Sequence, residues 1–210
     1  MFSVLLMWLE SAVLGLAMSM TPPYSTGIST QVAEVMVKEA VGKLYSNAST
    51  DREEGKQALL SAARESTETR DQIVKALVEV LENPQAQPTK NFAAWRAAAE
   101  LVGELKATSA IDILVAHLDD NDGVVGLSLS PFPAVQAIIR IGEPAVPELV
   151  RALSSARSAV RLNAARALGE IGGSLSHEAL QRRLQTEMDP EVRFYILAAL
   201  SRPALPFTRN

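Results

Sequence analysis

The chain has 210 residues, no cysteine, 5% aromatic residues and a formal net charge of -4. That length holds one compact domain or a short repeat array. The lack of cysteine excludes disulfides, thiolate metal sites and a cysteine nucleophile, and abundant Ala and Leu with scattered β-branched residues predicts an all-α chain packed through small residues. The charge divides unevenly: -8 over residues 1–150 and +4 over 151–210, where all nine basic residues are arginines. Such a bipolar surface orients a charged partner, although a solvated helix face gives the same counts.

In chain order, residues 1–20, "MFSVLLMWLESAVLGLAMSM", are apolar enough for a signal peptide or a membrane anchor. Glu10 in the middle argues against a span, because a carboxylate there costs roughly 2.5–3.5 kcal/mol on an insertion scale. The segment reads as a signal peptide cleaved near Ala17–Ser19, with an amphipathic capping helix as the alternative. An exported location, periplasmic or extracellular, follows from the first reading and a cytoplasmic or membrane-anchored one from the others. Membrane contact is expected only through these residues. Residues 21–30, "TPPYSTGIST", read as a polar linker, and residues 31–50 as an N-terminal capping helix.

From residue 51 the pattern becomes repetitive. "DREEGKQALLSAARES" and "ETRDQIVKALVEVLEN" form a helix pair without a glycine signature, as a capping unit would. "WRAAAELVGELKATSAIDILVAHL", Trp95–Leu118, is a second pair. In "RIGEPAVPELVRAL" two prolines stand three apart within helical spacing. A helix starting near Pro144 accommodates both, because first-turn N–H groups have no intrahelical acceptor. Val146, Leu149, Val150 and Leu153 then form one buried stripe, and Gly142 ends the helix before it. "VRLNAARALGEIG" followed by "SHEALQRRLQ" repeats the order, with Gly172 thirty residues after Gly142. Gly103 and Leu105 correspond to Gly169 and Ile171 at an offset of 66. "DPEVRFYILAAL" opens another unit, Asp189 as N-cap and Pro190 at the first helical position, with Val192-Arg193 thirty-two residues after Val160-Arg161. Helix pairs at this period make an α-solenoid, which Pro203 and Pro206 bring to a stop on half a repeat. The array is expected over 51–205, and residues 206–210 are a tail.

"VRLNAARALGEIG", "IGEPAVPELVRAL" and "DPEVR" resemble the HEAT-like repeats of the family that includes phycobilin lyase subunits and many bacterial proteins. The resemblance covers about residues 51–200. It implies that the second helix of each pair, here roughly 68–82, 108–120, 144–154 and 176–186, lines a concave partner-binding face. It also supplies one enzymatic alternative, a lyase-like subunit holding a linear tetrapyrrole, for which no residue pattern in the chain speaks.

The departure from the repeat is "DDNDGVVGLSLSPFPAV", Asp119–Val135, an apolar, glycine-rich insertion. Val124, Val125, Leu127, Leu129 and Phe132 form a candidate contact patch there, or else tuck beneath the array. Calcium binding fails on spacing, since the first and twelfth loop positions are Leu118 and Leu129. His177-Glu178 is similar to the His-Glu dipeptides with which a HEAT-repeat hydroxylase family holds iron, but that family needs several facing pairs and this chain has one. No G-x-S-x-G elbow or phosphate-binding glycine loop occurs. Arg151, Arg157, Arg182 and Arg183 are a candidate phosphate-contacting patch, against which stand a pI of 5.3 and few aromatics. Arg161, Arg166 and Arg193 are expected to brace neighbouring repeats through carboxylates or carbonyls.

The sequence therefore predicts an all-α, right-handed solenoid of about four HEAT-like helix pairs with N-terminal capping helices. It is a non-enzymatic scaffold without a cofactor that binds a protein or peptide on the concave face and the 119–133 loop. Candidate partner-binding residues are Val124, Val125, Leu127, Leu129, Phe132, Arg151, Arg182 and Arg183.

Overall fold

A computed structural model describes residues 25–83, 88–121 and 132–201, with side chains described from residue 33 in the first span and from residue 92 in the second. Every regular element among them is helical. The first, α1, spans Ser25–Leu44. Residues 25–30, expected as linker, are therefore helical despite Gly27 and the β-branched Thr26, Ile28 and Thr30; Pro23 is the last proline before them. By backbone contacts the chain divides after Met36, and the helix pairs belong to the second unit, Val37–Asn210.

Four pairs follow: α2 Ser49–Ala62 with α3 Thr67–Glu82, α4 Pro88–Glu104 with α5 Ile111–Ala116, α6 Pro133–Ile141 with α7 Val146–Ala152, and α8 Ser158–Ile171 with α9 Ser174–Thr186. A last described helix, α10, spans Pro190–Leu200. First helices α2, α4, α6, α8 and α10 touch in that order, and second helices α3, α5, α7 and α9 do likewise. Two helical layers stacked in register form an all-α solenoid.

Small residues set the spacing of the first layer. Ala94, Ala97, Ala98 and Ala99 in α4, Ala134 and Ala137 in α6, and Ala164, Ala165 and Ala167 in α8 are all buried. At Gly103 an added Cβ would lie 2.8 Å from the Ala137 Cα, so α4 and α6 pack nearly backbone to backbone. Gly169 meets Ala199 of α10 the same way, at 2.6 Å from its Cβ. The offset between the two glycines thus marks a repeated helix crossing. Larger side chains fill the space between layers, among them Ile73, Leu77, Leu114, Leu149 and Leu180.

The repeat punctuation has a backbone cause. Gly142 and Gly172 end α6 and α8 with φ of 84° and 73°, a region that favours glycine. Lys106, one residue beyond Leu105 as Gly172 is beyond Ile171, also has a positive φ, 48°, after α4. A short 3-10 turn, Glu143–Ala145, carries Pro144, and Pro147 sits in the first turn of α7. Neither proline removes a helical hydrogen bond. Val146, Leu149 and Leu153 are buried, and Val150 packs against the core.

Candidate partner-binding surface

The second helices carry stripes that the core does not use. On α3 Asp71, Lys75, Glu79 and Glu82 are exposed at helical spacing, and on α9 Glu178, Gln181, Arg182 and Gln185 are. Asp112 on α5 and Pro147 and Arg151 on α7 lie between them in chain order. The row is acidic at α3 and mixed at α9.

The expected phosphate-contacting patch is largely neutralised. Arg151 pairs with Glu148 one turn earlier on α7. Arg157 pairs with Asp119 at 2.9 Å, and Arg183 with Glu187 at 2.7 Å. Arg182 is exposed and its Nε reaches the Glu178 carbonyl of its own helix at 3.4 Å. These arginines do not converge as an unpaired group. Val124, Val125, Leu127 and Leu129 lie outside the described residues. Phe132 stands at the N-cap of α6, half-buried and packed against the core.

The bracing arginines follow one geometry, each the fourth residue of a first helix. Arg52 donates to the Ser46 and Asn47 carbonyls at 2.7 and 3.0 Å. Arg161 donates to those of Ser155 and Ala156 at 2.9 and 3.0 Å, and Arg193 to those of Leu184 and Glu187, both at 2.9 Å. Arg52 and Arg161 tie their helices to the preceding connection, and Arg193 ties α10 to the last turns of α9 and to the connection after it. Arg166 instead bonds the Tyr195 hydroxyl at 2.6 Å and stacks 4.1 Å over its ring, joining α8 to α10.

Glu187, only 1% exposed, is the hub of this bracing and gave no sign of it in sequence. It accepts two hydrogen bonds from Arg161, one from Arg183 Nε, and the backbone N–H groups of Met188 and Asp189. The Arg161 hydrogen bond foremost, outweighing burial and aided by the Asp189 N–H and Arg183, holds its carboxyl down at about 2. Arg161 is correspondingly pushed up by Glu187. Asp189 caps α10 as expected, accepting from the Glu191 and Val192 N–H groups.

Two clefts are built mainly from first helices. One, of about 380 Å³, lies between α2 and α4 and is crossed by Lys56, which pairs with Glu100 at 2.8 Å and Glu53 at 3.1 Å. Burial lowers the Lys56 ammonium's proton affinity, but Glu100 and then Glu53 outweigh it and the net shift is upward. Arg96 lies 5.3 Å over Phe92 in the same cleft. The other cleft, of about 310 Å³, opens over Leu162, Asn163 and Arg166 of α8, between Val192 and Tyr195 of α10 and the described ends of the 119–133 connection. Asn163 Nδ2 donates to the Leu118 carbonyl at 2.8 Å, while its Oδ1 and the Asp119 Oδ1 are buried without a partner.

His117 bonds Asp120 at 2.5 Å and its ring lies 5.4 Å from that of Trp95; His177 faces Gln181 at 3.1 Å. Among the described residues no three His, Asp or Glu side chains gather to hold a metal ion, and no described helix is long and apolar enough to cross a membrane.

Comparison with known families matches residues 133–201 to HEAT repeats. No curated protein matches the chain. Among solved structures it is similar to an engineered protein at 24% identity over 82% of this chain and 79% of that one, with a TM-score of 0.40. A second engineered protein is 24% identical over 80% of this chain and 46% of its own, with a TM-score of 0.36. Human deoxyhypusine hydroxylase, solved with glycerol, is 16% identical over 85% and 89%, with a TM-score of 0.31. Residues 133–201 match HEAT repeats, and the described residues before them continue the same helix-pair order as a HEAT-like α-solenoid.

Proposed function

We propose that this chain is a non-enzymatic scaffold that binds a protein or peptide along the second-helix row and the 119–133 connection. The observation that carries the reading is the division of labour between layers. First helices spend their small residues on backbone-close stacking, whereas α3 and α9 present polar stripes that make no contribution to the core. Stacked repeats commonly use such surfaces for partners, because exposed residues vary without harming the fold. Val124, Val125, Leu127, Leu129 and Phe132 supply the apolar part of the contact, and Arg151, Arg182 and Arg183 its basic part, Arg151 and Arg183 as members of their ion pairs with Glu148 and Glu187. For location the proposal is export after cleavage near Ala17–Ser19, with a cytoplasmic or membrane-anchored chain as the alternative.

Crosslinked affinity capture from the native host, with mass spectrometry of the whole complex and of the bait's N-terminus, tests this. One stoichiometric protein partner, with the bait beginning near Thr21, is the expected result. Recovery of full-length bait alone would contradict it.

A further inference from the structure

We infer that the cleft over α8 receives a basic side chain, lysine or arginine, from the bound partner. The inference rests on the scaffold reading and gives the chemistry of one contact within it. Asn163 is 1% exposed, and its bond to the Leu118 carbonyl fixes which end of the amide faces elsewhere. That end is an acceptor with no donor. Asp119 follows Leu118 directly; its Oδ2 is held by Arg157 at 2.9 Å and its Oδ1 has no partner either. Two buried acceptors of this one cleft thus lack an N–H, where a buried polar group ordinarily has a partner; among the described residues Gln72 Oε1, Trp95 Nε1 and Ser176 Oγ are likewise unpartnered, but singly.

Charge points the same way. Asp119, Asp189 and Glu191 line the cleft with Arg166, whose guanidinium is committed to Tyr195, and Arg157 offsets only the Asp119 charge through its pair with Oδ2. An anionic ligand would meet this excess of carboxylates, whereas an ammonium or guanidinium supplies both the charge and the missing donors. Phe132, Leu162 and Val192 give the apolar walls that an aliphatic stem covers while its charged head seeks polar partners. Both acceptor oxygens are buried in the free chain, and Asp119, whose side chain is 16% exposed, reaches an incoming head by a turn of its carboxylate. The source is a polypeptide because the cleft lies against both described ends of the connection where the partner is placed.

The test uses the full chain, isotope-labelled for NMR, and blocked pentapeptides with Lys, Arg, Met or Glu at the centre. The Asn163 side-chain amide is the reporter. Saturable shifts with the Lys and Arg peptides only, weakened at least tenfold by Asp119→Asn and less by Glu191→Gln, are expected. Circular dichroism checks that both variants keep their helices. Equal shifts with the Met or Glu peptide would overturn the inference. So would no shift with any peptide, which would mean that bound water alone serves the two oxygens. Free 1,5-diaminopentane binding as tightly as the peptides would overturn the polypeptide source. A silent cleft beside a successful capture sinks this inference alone, whereas bait recovered without a partner sinks the scaffold reading.

Discussion

Arg161 and Glu187 form a two-pronged pair, Nε to Oε2 at 2.8 Å and Nη2 to Oε1 at 2.9 Å, that ties the start of α8 to the connection after α9. Because the carboxyl is held at about 2, below its ordinary 4.5, its contribution is complete above pH 4.5 and is lost as pH falls toward 2. The pair is buried, so the lost stability is on the order of 3 kcal/mol. Urea unfolding between pH 6 and 2.5 should show this acid limb. In Glu187→Gln it should flatten, with stability at neutral pH reduced by roughly 3–5 kcal/mol because two arginines lose their counter-charge. An unchanged acid limb in the variant would show that Glu187 is not the titrating hub.

Gly103→Ala should destabilise the chain by roughly 1–3 kcal/mol, since its methyl would meet α6 backbone that has no side chain to turn aside. Gly42→Ala in α1 meets nothing within 4 Å and should be stabilising by about 0.5–1 kcal/mol. Thermal unfolding of both variants measures the contrast. Equal effects would mean that the α4–α6 approach is looser than described.

Leu149, fully buried in α7, should cost about 2–5 kcal/mol when replaced by Ala. Chemical denaturation giving less than half a kilocalorie would place the repeat register elsewhere.

Replacing Val124, Val125 and Leu127 together with Ser should leave far-UV circular dichroism unchanged and weaken partner binding. Loss of the helical signal would assign these residues to the core instead.

The parts of this fold readable in the sequence are those with a local cause. Pro144 and Pro147 are legible because helix entry tolerates proline, Gly142 and Gly172 because their φ is positive, and Asp189 because a cap needs a short acceptor. Lys106 hides the helix end after α4, since a lysine at positive φ has no signature of its own. Glu187 reads as an ordinary charged residue in "QTEMDP"; its burial depends on Arg161, twenty-six residues earlier, arriving beside Arg183. Of the candidate site, the second-helix face came only from the resemblance to HEAT-like repeats, and the neutralisation of Arg157 needed Asp119 from another repeat. Asn163 left a usable trace, a polar residue on the face of Val160, Ala164, Ala167 and Leu168. Such a residue in a buried stripe has a partner or wants one.

The central claim is that the second-helix layer meets the partner, and photo-crosslinking in the native host tests it most directly. A photoreactive residue would be placed in turn at the exposed positions Lys75 and Gln181 on α3 and α9, and at Gln57 and Glu104 on α2 and α4. One protein crosslinked from Lys75 or Gln181, and not from Gln57 or Glu104, is the predicted result. Crosslinks from the first-helix positions alone, or from none of the four, would contradict it.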